Sequence, residues 1–141
     1  MNTHRRLHGI GFAALGALTV AMALCATGVP RAQSATAEIG VRDTLKRYSA
    51  ALESLDANAV KKVQPSIPAD NLAKAFKDMR ELKVAIDAVK VLSIDGNKAR
   101  VSCRVTQTLT PKVGSKQTSA VTRVMRLQRT ADVWVIDGFE R

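Results

Sequence analysis

The sequence is poor in the residues that most enzyme and metal sites use. Its 141 residues include two histidines, two cysteines, one tyrosine and one tryptophan. So few histidines and cysteines argue against a zinc site of the Cys/His type. An aromatic content of 4% leaves no visible set of stacking side chains for single-stranded nucleic acid. The length allows one ordinary domain and excludes a multidomain enzyme.

The longest stretch without charge lies near the start of the chain. Residues 9–30 carry no charge and follow Arg5 and Arg6. A basic head, an apolar run and then small residues are typical of a secretory signal peptide. We therefore predict a signal peptide over residues 1–37, with cleavage before Glu38 or before Ala35. The alternative is an uncleaved membrane anchor, because an apolar run of this length reaches across a bilayer.

Cleavage at this site changes the chemistry of the chain. It removes both histidines, His4 and His8, together with Cys25, three of the 22 basic residues and none of the 12 acidic ones. The mature part, residues 38–141, then has a net charge of +7 and a single cysteine, Cys103. Without imidazole it cannot use Ser-His-Asp or Cys-His catalysis. We predict no metal, no cofactor, and export to the periplasm or the medium of a bacterium.

The mature part begins with amphipathic helices. Apolar residues recur every three or four positions over residues 38–55, which predicts a first helix. Asp56 is an N-cap signal for a short second helix that ends at Pro65. A third helix starts at Asp70 or a neighbour. The predicted apolar faces are Val41, Leu45, Tyr48, Leu52 and Leu55, then Val60 and Val63, then Leu72, Phe76 and Met79.

The apolar pattern changes to period two after the helices, which indicates strands. A break in phase near Asp87-Ala88 favours a β-bulge. The turn signals are Asp95-Gly96-Asn97, residues 111–116 and Thr130-Ala131. Helices followed by an antiparallel meander indicate an α+β fold, with helices on one face of the sheet. The four predicted strands cover residues 84–94, 101–109, 117–128 and 133–139.

The last turn predicts a register for the last hairpin. A two-residue turn at residues 130–131 places Leu127 opposite Trp134 and Met125 opposite Ile136. All four side chains then lie on the core side of the sheet. A slip of one residue would reverse each of these assignments.

Two residues of this hairpin are candidate ligand contacts. Arg123 follows on the core side near the far end of the sheet, where it can bind a carboxylate or phosphate. The alternative is an arginine that reaches solvent from the end of a strand. Asp137 is either its partner or an ordinary polar strand residue. Trp134 is either a pocket residue that stacks on a ligand or a core residue.

Two segments resemble the nuclear transport factor 2-like superfamily. Residues 46–65, KRYSAALESLDANAVKKVQP, are similar to its opening, a helix with a tyrosine and then an aspartate before a short second helix. Residues 123–141, RVMRLQRTADVWVIDGFER, resemble its last hairpin with a tryptophan-containing strand. The resemblance covers residues 38–141. It implies a curved, mainly four-stranded sheet wrapped over helices, forming a cone with a pocket at the open end.

The resemblance implies a role for Tyr48 but supplies no general base. In ketosteroid isomerase, a member of this superfamily, a tyrosine of the first helix donates a hydrogen bond to the oxyanion. Tyr48 is at the matching place, eight residues before Asp56. The base of that enzyme is an aspartate on a hairpin between the second and third helices, and residues 64–71 leave no room for one. We therefore predict no catalytic residue, and the alternative for Tyr48 is a core tyrosine.

These observations favour an exported, non-catalytic domain that binds a small ligand or a protein partner in a cone-shaped pocket. The candidate pocket residues are Tyr48, Arg123 and Trp134. One alternative is an isomerase, cyclase or dehydratase of the ketosteroid isomerase or SnoaL type. The other is a structural protein of the envelope.

The positive charge favours an anionic partner, and a contribution to solubility is the alternative. A small acidic ligand, anionic lipid and a cell-wall polymer are the candidates, and we predict no nucleic acid, since an exported protein rarely meets one. We predict membrane attachment only through an uncleaved N-terminal segment. The outer sheet face is rich in threonine, at Thr106, Thr108 and Thr122. Faces of this kind often pair in dimers of the superfamily that the sequence resembles, so the resemblance implies a homodimer through that face. A solvated face is the alternative.

Overall fold

Three helices precede a four-stranded antiparallel sheet in the computed structural model, which describes residues 31–140. The strands follow one another in the order β1-β2-β3-β4, as in a simple meander. This confirms the predicted α+β class, while residues 1–30, with most of the predicted signal peptide, lie outside the described part. The elements are α1 (Arg31–Glu53), α2 (Ala57–Val63), α3 (Ala69–Lys77), β1 (Met79–Asp95), β2 (Lys98–Pro111), β3 (Gln117–Thr130) and β4 (Val133–Phe139).

Helix α1 is longer at its start than predicted. It begins at Arg31, seven residues before Glu38, because the alanine-rich segment 32–37 has high helix propensity. Its end is marked by Leu55, whose φ of 54° is left-handed and cannot continue a helix. Within residues 31–140, no helix is both long enough and apolar enough to cross a bilayer.

The second helix is capped as predicted. The Asp56 carboxylate accepts hydrogen bonds from the backbone N–H groups of Asn58, at 2.9 Å, and Ala59, at 3.2 Å. These bonds satisfy two of the N–H groups that a helix start leaves without intrahelical partners. The cap therefore fixes the point at which the chain turns from α1 into α2.

Replacing this cap is expected to lower stability by a modest amount. Asp56→Ala should reduce the free energy of unfolding by about 1 kcal/mol, because two N–H groups lose their acceptor. Asp56→Asn should retain most of the stability, since its side-chain oxygen can accept the same bonds. Urea unfolding followed by the fluorescence of Trp134, the single tryptophan, measures both variants. Equal midpoints for the alanine variant and the parent would contradict the cap.

The third helix and the first strand meet earlier than predicted. Asp70 lies in the first turn of α3, and the N-cap position is Pro68. Met79, assigned from sequence to the apolar face of this helix, instead begins β1 and pairs with Pro111. The helical apolar spacing of Met79 was misleading because pairing with a distant strand decides where β1 starts.

The predicted bulge in β1 is confirmed. The β1–β2 register shifts between Asp87 and Lys90, and Ala88 has a φ of 49°. A second shift falls between Val91 and Ser93. Bulges of this kind bend a strand and increase its twist, which curves the sheet over the helices.

The register predicted for the last hairpin is wrong by two residues at Leu127. It is wrong by three at Met125, which pairs with Phe139 because the register shifts between Arg126 and Leu127. The turn residues with positive φ are Ala131 and Asp132, so Leu127 pairs with Ile136 and not with Trp134. A shift of two preserves the side of the sheet, because side chains alternate with period two. Met125, Leu127, Trp134 and Ile136 are accordingly all buried in the core, as predicted.

Candidate functional site

Trp134 lies in the core between α1 and β4. Its side chain is 3% exposed, and Gly40 of α1 approaches its ring closely. Its carbonyl oxygen accepts hydrogen bonds from Thr44 Oγ1, at 3.0 Å, and from the Arg47 guanidinium, at 3.2 Å. These contacts attach the first helix to the last strand. Trp134 is therefore a core residue and does not line the small cavity between α1 and the sheet.

A small cavity lies between α1 and the concave face of β2 and β3. Its volume is about 50 Å³. Tyr48 closes it from the helix, and Arg123 and Phe139 border it on the side of β4. The lining residues are Tyr48, Val105, Gln107, Ser119, Val121, Arg123, Met125 and Phe139.

The strand pairing explains which side chains reach the cavity. Val105 pairs with Val121, and Gln107 pairs with Ser119. Because residues two apart in a strand share a face, these pairs follow the buried residues of β2 and β3 toward the open end of the sheet. Strand β4 pairs with β3 only from Met125 to Thr130. The part of β3 before Met125 therefore has no fourth strand beside it.

The Tyr48 hydroxyl is a free donor inside this cavity. Burial raises the pKa of Tyr48, the Arg123 guanidinium lowers it, and Cys103 raises it. Among residues 33–140 the hydroxyl makes no hydrogen bond. The group therefore stays protonated at neutral pH and can donate a hydrogen bond to an anion.

Arg123 carries an uncompensated positive charge at the cavity. Its guanidinium carbon lies 5.5 Å from the centroid of the Phe139 ring, a distance typical of a cation–π contact. No acidic side chain of the described residues forms an ion pair with it. Asp137, the partner suggested by the sequence, lies 3.9 Å from Arg126 instead. The side chain is exposed, so it can move toward a ligand.

Two polar cavity residues were missed by the sequence analysis. Gln107 and Ser119 face each other across β2 and β3, and neither side chain has a hydrogen-bond partner among the described residues. Their period-two relation to Val105 and Val121 was the available signal. With Tyr48 they give three neutral hydrogen-bonding groups beside one cation. None of the lining side chains is a carboxylate or an imidazole.

The connection between α2 and α3 is short. Residues 64–68 join the two helices and contain no strand. The position from which ketosteroid isomerase presents its base thus has no counterpart here. Within residues 31–140, no three His, Cys, Asp or Glu side chains cluster to hold a metal ion.

Two larger depressions lie elsewhere on the surface. One, of about 340 Å³, runs between α1 and β1, with Leu45, Ile86 and Val89 among its lining residues. The other, of about 320 Å³, is lined by Arg100 and Arg126 with other residues of the sheet. In both, arginine is already engaged: Arg42 pairs with Glu38 in the first and Arg100 with Glu140 in the second. The small cavity differs because it places the hydroxyl of the single tyrosine, Tyr48, beside a cation, Arg123.

No family model and no curated protein matches the sequence. Solved structures match it clearly. A nuclear transport factor 2-like superfamily protein from Salmonella enterica serovar Typhimurium aligns over 76% of this chain and 92% of its own, with a TM-score of 0.62 and 16% identity. A protein from Streptomyces avermitilis, assigned provisionally as a dehydratase of the same family, covers 75% and 95%, with 0.64 and 15%.

A hexachlorocyclohexane dehydrochlorinase, LinA type 2, is also similar. It covers 77% of this chain and 85% of its own, with a TM-score of 0.63 and 10% identity. At such identities the likeness concerns the fold. The chain has the nuclear transport factor 2-like fold, an α+β cone, as the sequence resemblance implied. Solved proteins of this fold include enzymes and proteins without a stated activity.

Proposed function

We propose that the protein binds a small organic anion at the concave cavity and does not transform it. The observation that carries this proposal is the convergence of unpaired polar groups on one cavity. Arg123 supplies the charge, while Tyr48, Gln107 and Ser119 supply hydrogen bonds. Charge-assisted hydrogen bonds from a guanidinium to a carboxylate or phosphate are the strong ones among protein hydrogen bonds. The ligand is therefore a carboxylate or phosphate ester.

The cavity volume limits what enters. A volume of about 50 Å³ holds about two waters, at about 30 Å³ of liquid volume each. This suits a carboxylate or phosphate head group, with the remainder of the ligand outside. Val121, which is partly exposed beside the cavity, and the Phe139 ring offer apolar contact to that remainder.

The chemistry of the lining favours binding over catalysis. The dehydrochlorinase shares the fold, and a tyrosine donor alone would fit an isomerase or dehydratase. A donor without a base cannot abstract a proton, and no carboxylate or imidazole lines this cavity. The expected result for substrates of those enzyme classes is binding without turnover.

The electrostatic effect of Arg123 on the cavity can be tested by titrating Tyr48. Tyr48 is the single tyrosine, so the absorbance of tyrosinate reports its pKa directly. The titration midpoint should lie above that of free tyrosine because burial raises the pKa. Arg123→Met should raise it further, since the guanidinium lowers it. Arg129→Met, which removes an equal charge beside Trp134, is the control and should leave the midpoint unchanged.

Ligand binding is tested by calorimetry with benzoate, phenyl phosphate and neutral benzamide. Benzoate or phenyl phosphate should bind, and Arg123→Met should weaken binding about ten- to hundredfold, as expected for a hydrogen bond to a charged group. Arg129→Met should bind as the parent does, and benzamide should not bind. Equal affinities for the Arg123 and Arg129 variants would refute the site.

A further inference from the structure

One end of the molecule gathers five positive charges from distant parts of the chain. The backbone N–H of Lys112 donates a hydrogen bond to the carbonyl oxygen of Asp78, at 2.9 Å, and Met79 pairs with Pro111. These contacts hold the β2–β3 loop against the junction of α3 and β1. We call this region the basic tip; its cations are Lys74, Lys77, Arg80, Lys112 and Lys116.

The cations of the basic tip are not neutralised by the protein. All five are exposed, and none of them forms an ion pair with the described residues. Asp78 is the single acid within residues 74–80 and 111–116, so these two segments have a net charge of +4. Five described cations outside the tip, Arg42, Arg47, Lys83, Arg100 and Arg126, pair with carboxylates, and the remaining described ones are not grouped at one end by contacts such as these. The field of the basic tip therefore points into solvent.

An apolar side chain stands at the end of the basic tip. Val113 is 91% exposed, between Lys112 and Lys116 in the loop. Gly114 follows with a φ of 108°, which lets the chain turn there. Val113 is the most exposed of the large hydrophobic residues that the structure describes, and the interface of a bilayer accepts an apolar residue flanked by cations.

We propose that the basic tip docks on a bilayer surface that carries anionic headgroups. None of its five cations lines the three depressions described above. A spread of unpaired lysine and arginine is complementary to a charged plane. Val113 favours a bilayer over a soluble polyanion. This surface is separate from the ligand cavity and adds a membrane contact beyond the predicted N-terminal segment.

Vesicle sedimentation tests the charge of the tip. The protein purified from the exported fraction should pellet with vesicles of one part phosphatidylglycerol to two parts phosphatidylcholine, and much less with phosphatidylcholine alone. Lys112→Gln with Lys116→Gln should lower the partition coefficient about 25-fold, at about fivefold per lysine near an anionic surface. Lys61→Gln with Lys62→Gln removes the same charge from α2 and should lower it less than about threefold. Equal losses for the two pairs would overturn the proposal.

Substitution of Val113 distinguishes a bilayer from the alternative partner, a soluble polyanion. Val113→Ser should weaken vesicle binding about threefold, because the loop loses apolar contact with the interface, and leave binding to inorganic polyphosphate unchanged. Tight binding to polyphosphate with no pelleting on the anionic vesicles would assign the tip to a polymer and overturn the proposal.

A label at residue 113 covers the case in which the N-terminal segment is retained and holds the chain on every vesicle. A Val113→Cys, Cys25→Ser variant takes an environment-sensitive fluorophore at residue 113, since Cys103 is 0% exposed. Its emission should shift to the blue with the anionic vesicles and stay constant with phosphatidylcholine. No shift with either composition would overturn the proposal.

Discussion

Trp134→Ala is expected to reduce the free energy of unfolding by about 3 to 5 kcal/mol. The ring is almost completely buried, and Gly40 of α1 packs closely against it. Removal leaves a cavity at the contact that attaches the first helix to the last strand. Chemical unfolding followed by far-ultraviolet circular dichroism gives the value, because the fluorescent reporter is lost. Val133→Ala, at a neighbouring position that is 46% exposed, is the control and should cost about 0.5 kcal/mol or less.

A small loss for Trp134→Ala would contradict this placement. A cost below about 1 kcal/mol is typical of exposed positions and would return Trp134 to the candidates for ligand stacking. The benzoate titration then separates the two roles, since a core tryptophan leaves ligand affinity unchanged in variants that remain folded.

Gly40→Val is expected to cost about 2 to 3 kcal/mol through overpacking. A Cβ atom at Gly40 would lie 2.8 Å from Trp134 Cδ1, closer than carbon atoms approach in proteins. The ring is buried and cannot move aside without disturbing the core. Urea unfolding with Trp134 fluorescence as the probe measures the loss.

Gly138→Val is a matched control for this contact. A Cβ atom there would also meet a side-chain atom at 2.8 Å, but that atom is the Arg126 Nη2 at the end of a flexible, half-exposed chain. The guanidinium can swing away, so the expected cost is about 0.5 kcal/mol or less. Equal losses at Gly40 and Gly138 would show that the tryptophan ring is not the cause.

The effect of an alanine at position 40 on stability should change sign when Trp134 is removed. Gly40→Ala should destabilise the parent because of the clash with Trp134. In the Trp134→Ala background the clash is absent, and alanine should stabilise α1 by about 1 kcal/mol relative to glycine. The two substitutions should therefore be strongly non-additive, as expected for residues in contact.

The sequence was sufficient for features that depend on neighbouring residues. Asp56 correctly predicted the start of α2, because an N-cap side chain bonds to backbone N–H groups within three residues. The break near Ala88 in the alternation of apolar residues correctly predicted a bulge, because this alternation is a local property of a strand. The buried side of the last hairpin was predicted correctly although its register was not, since a shift of two residues leaves a side chain on the same side of the sheet.

Long-range packing decided the rest. Trp134 had two roles open in the sequence, and the approach of Gly40, 94 positions away in the chain, placed it in the core. Period two put Gln107 on the concave side, but only the helix crossing above it created a cavity with Tyr48 and Arg123. The start of β1 at Met79 depended on pairing with Pro111.

By itself the sequence determined the order of the elements, the class of fold, most of the buried faces and the excess of positive charge. Only the tertiary structure decided which polar groups share a cavity and which cations gather at the basic tip. The physical reason is that periodicity and capping act over a few residues of one segment. A cavity or a charged surface depends on which distant segments pack together, as Asp78 and Lys112 do through one backbone hydrogen bond.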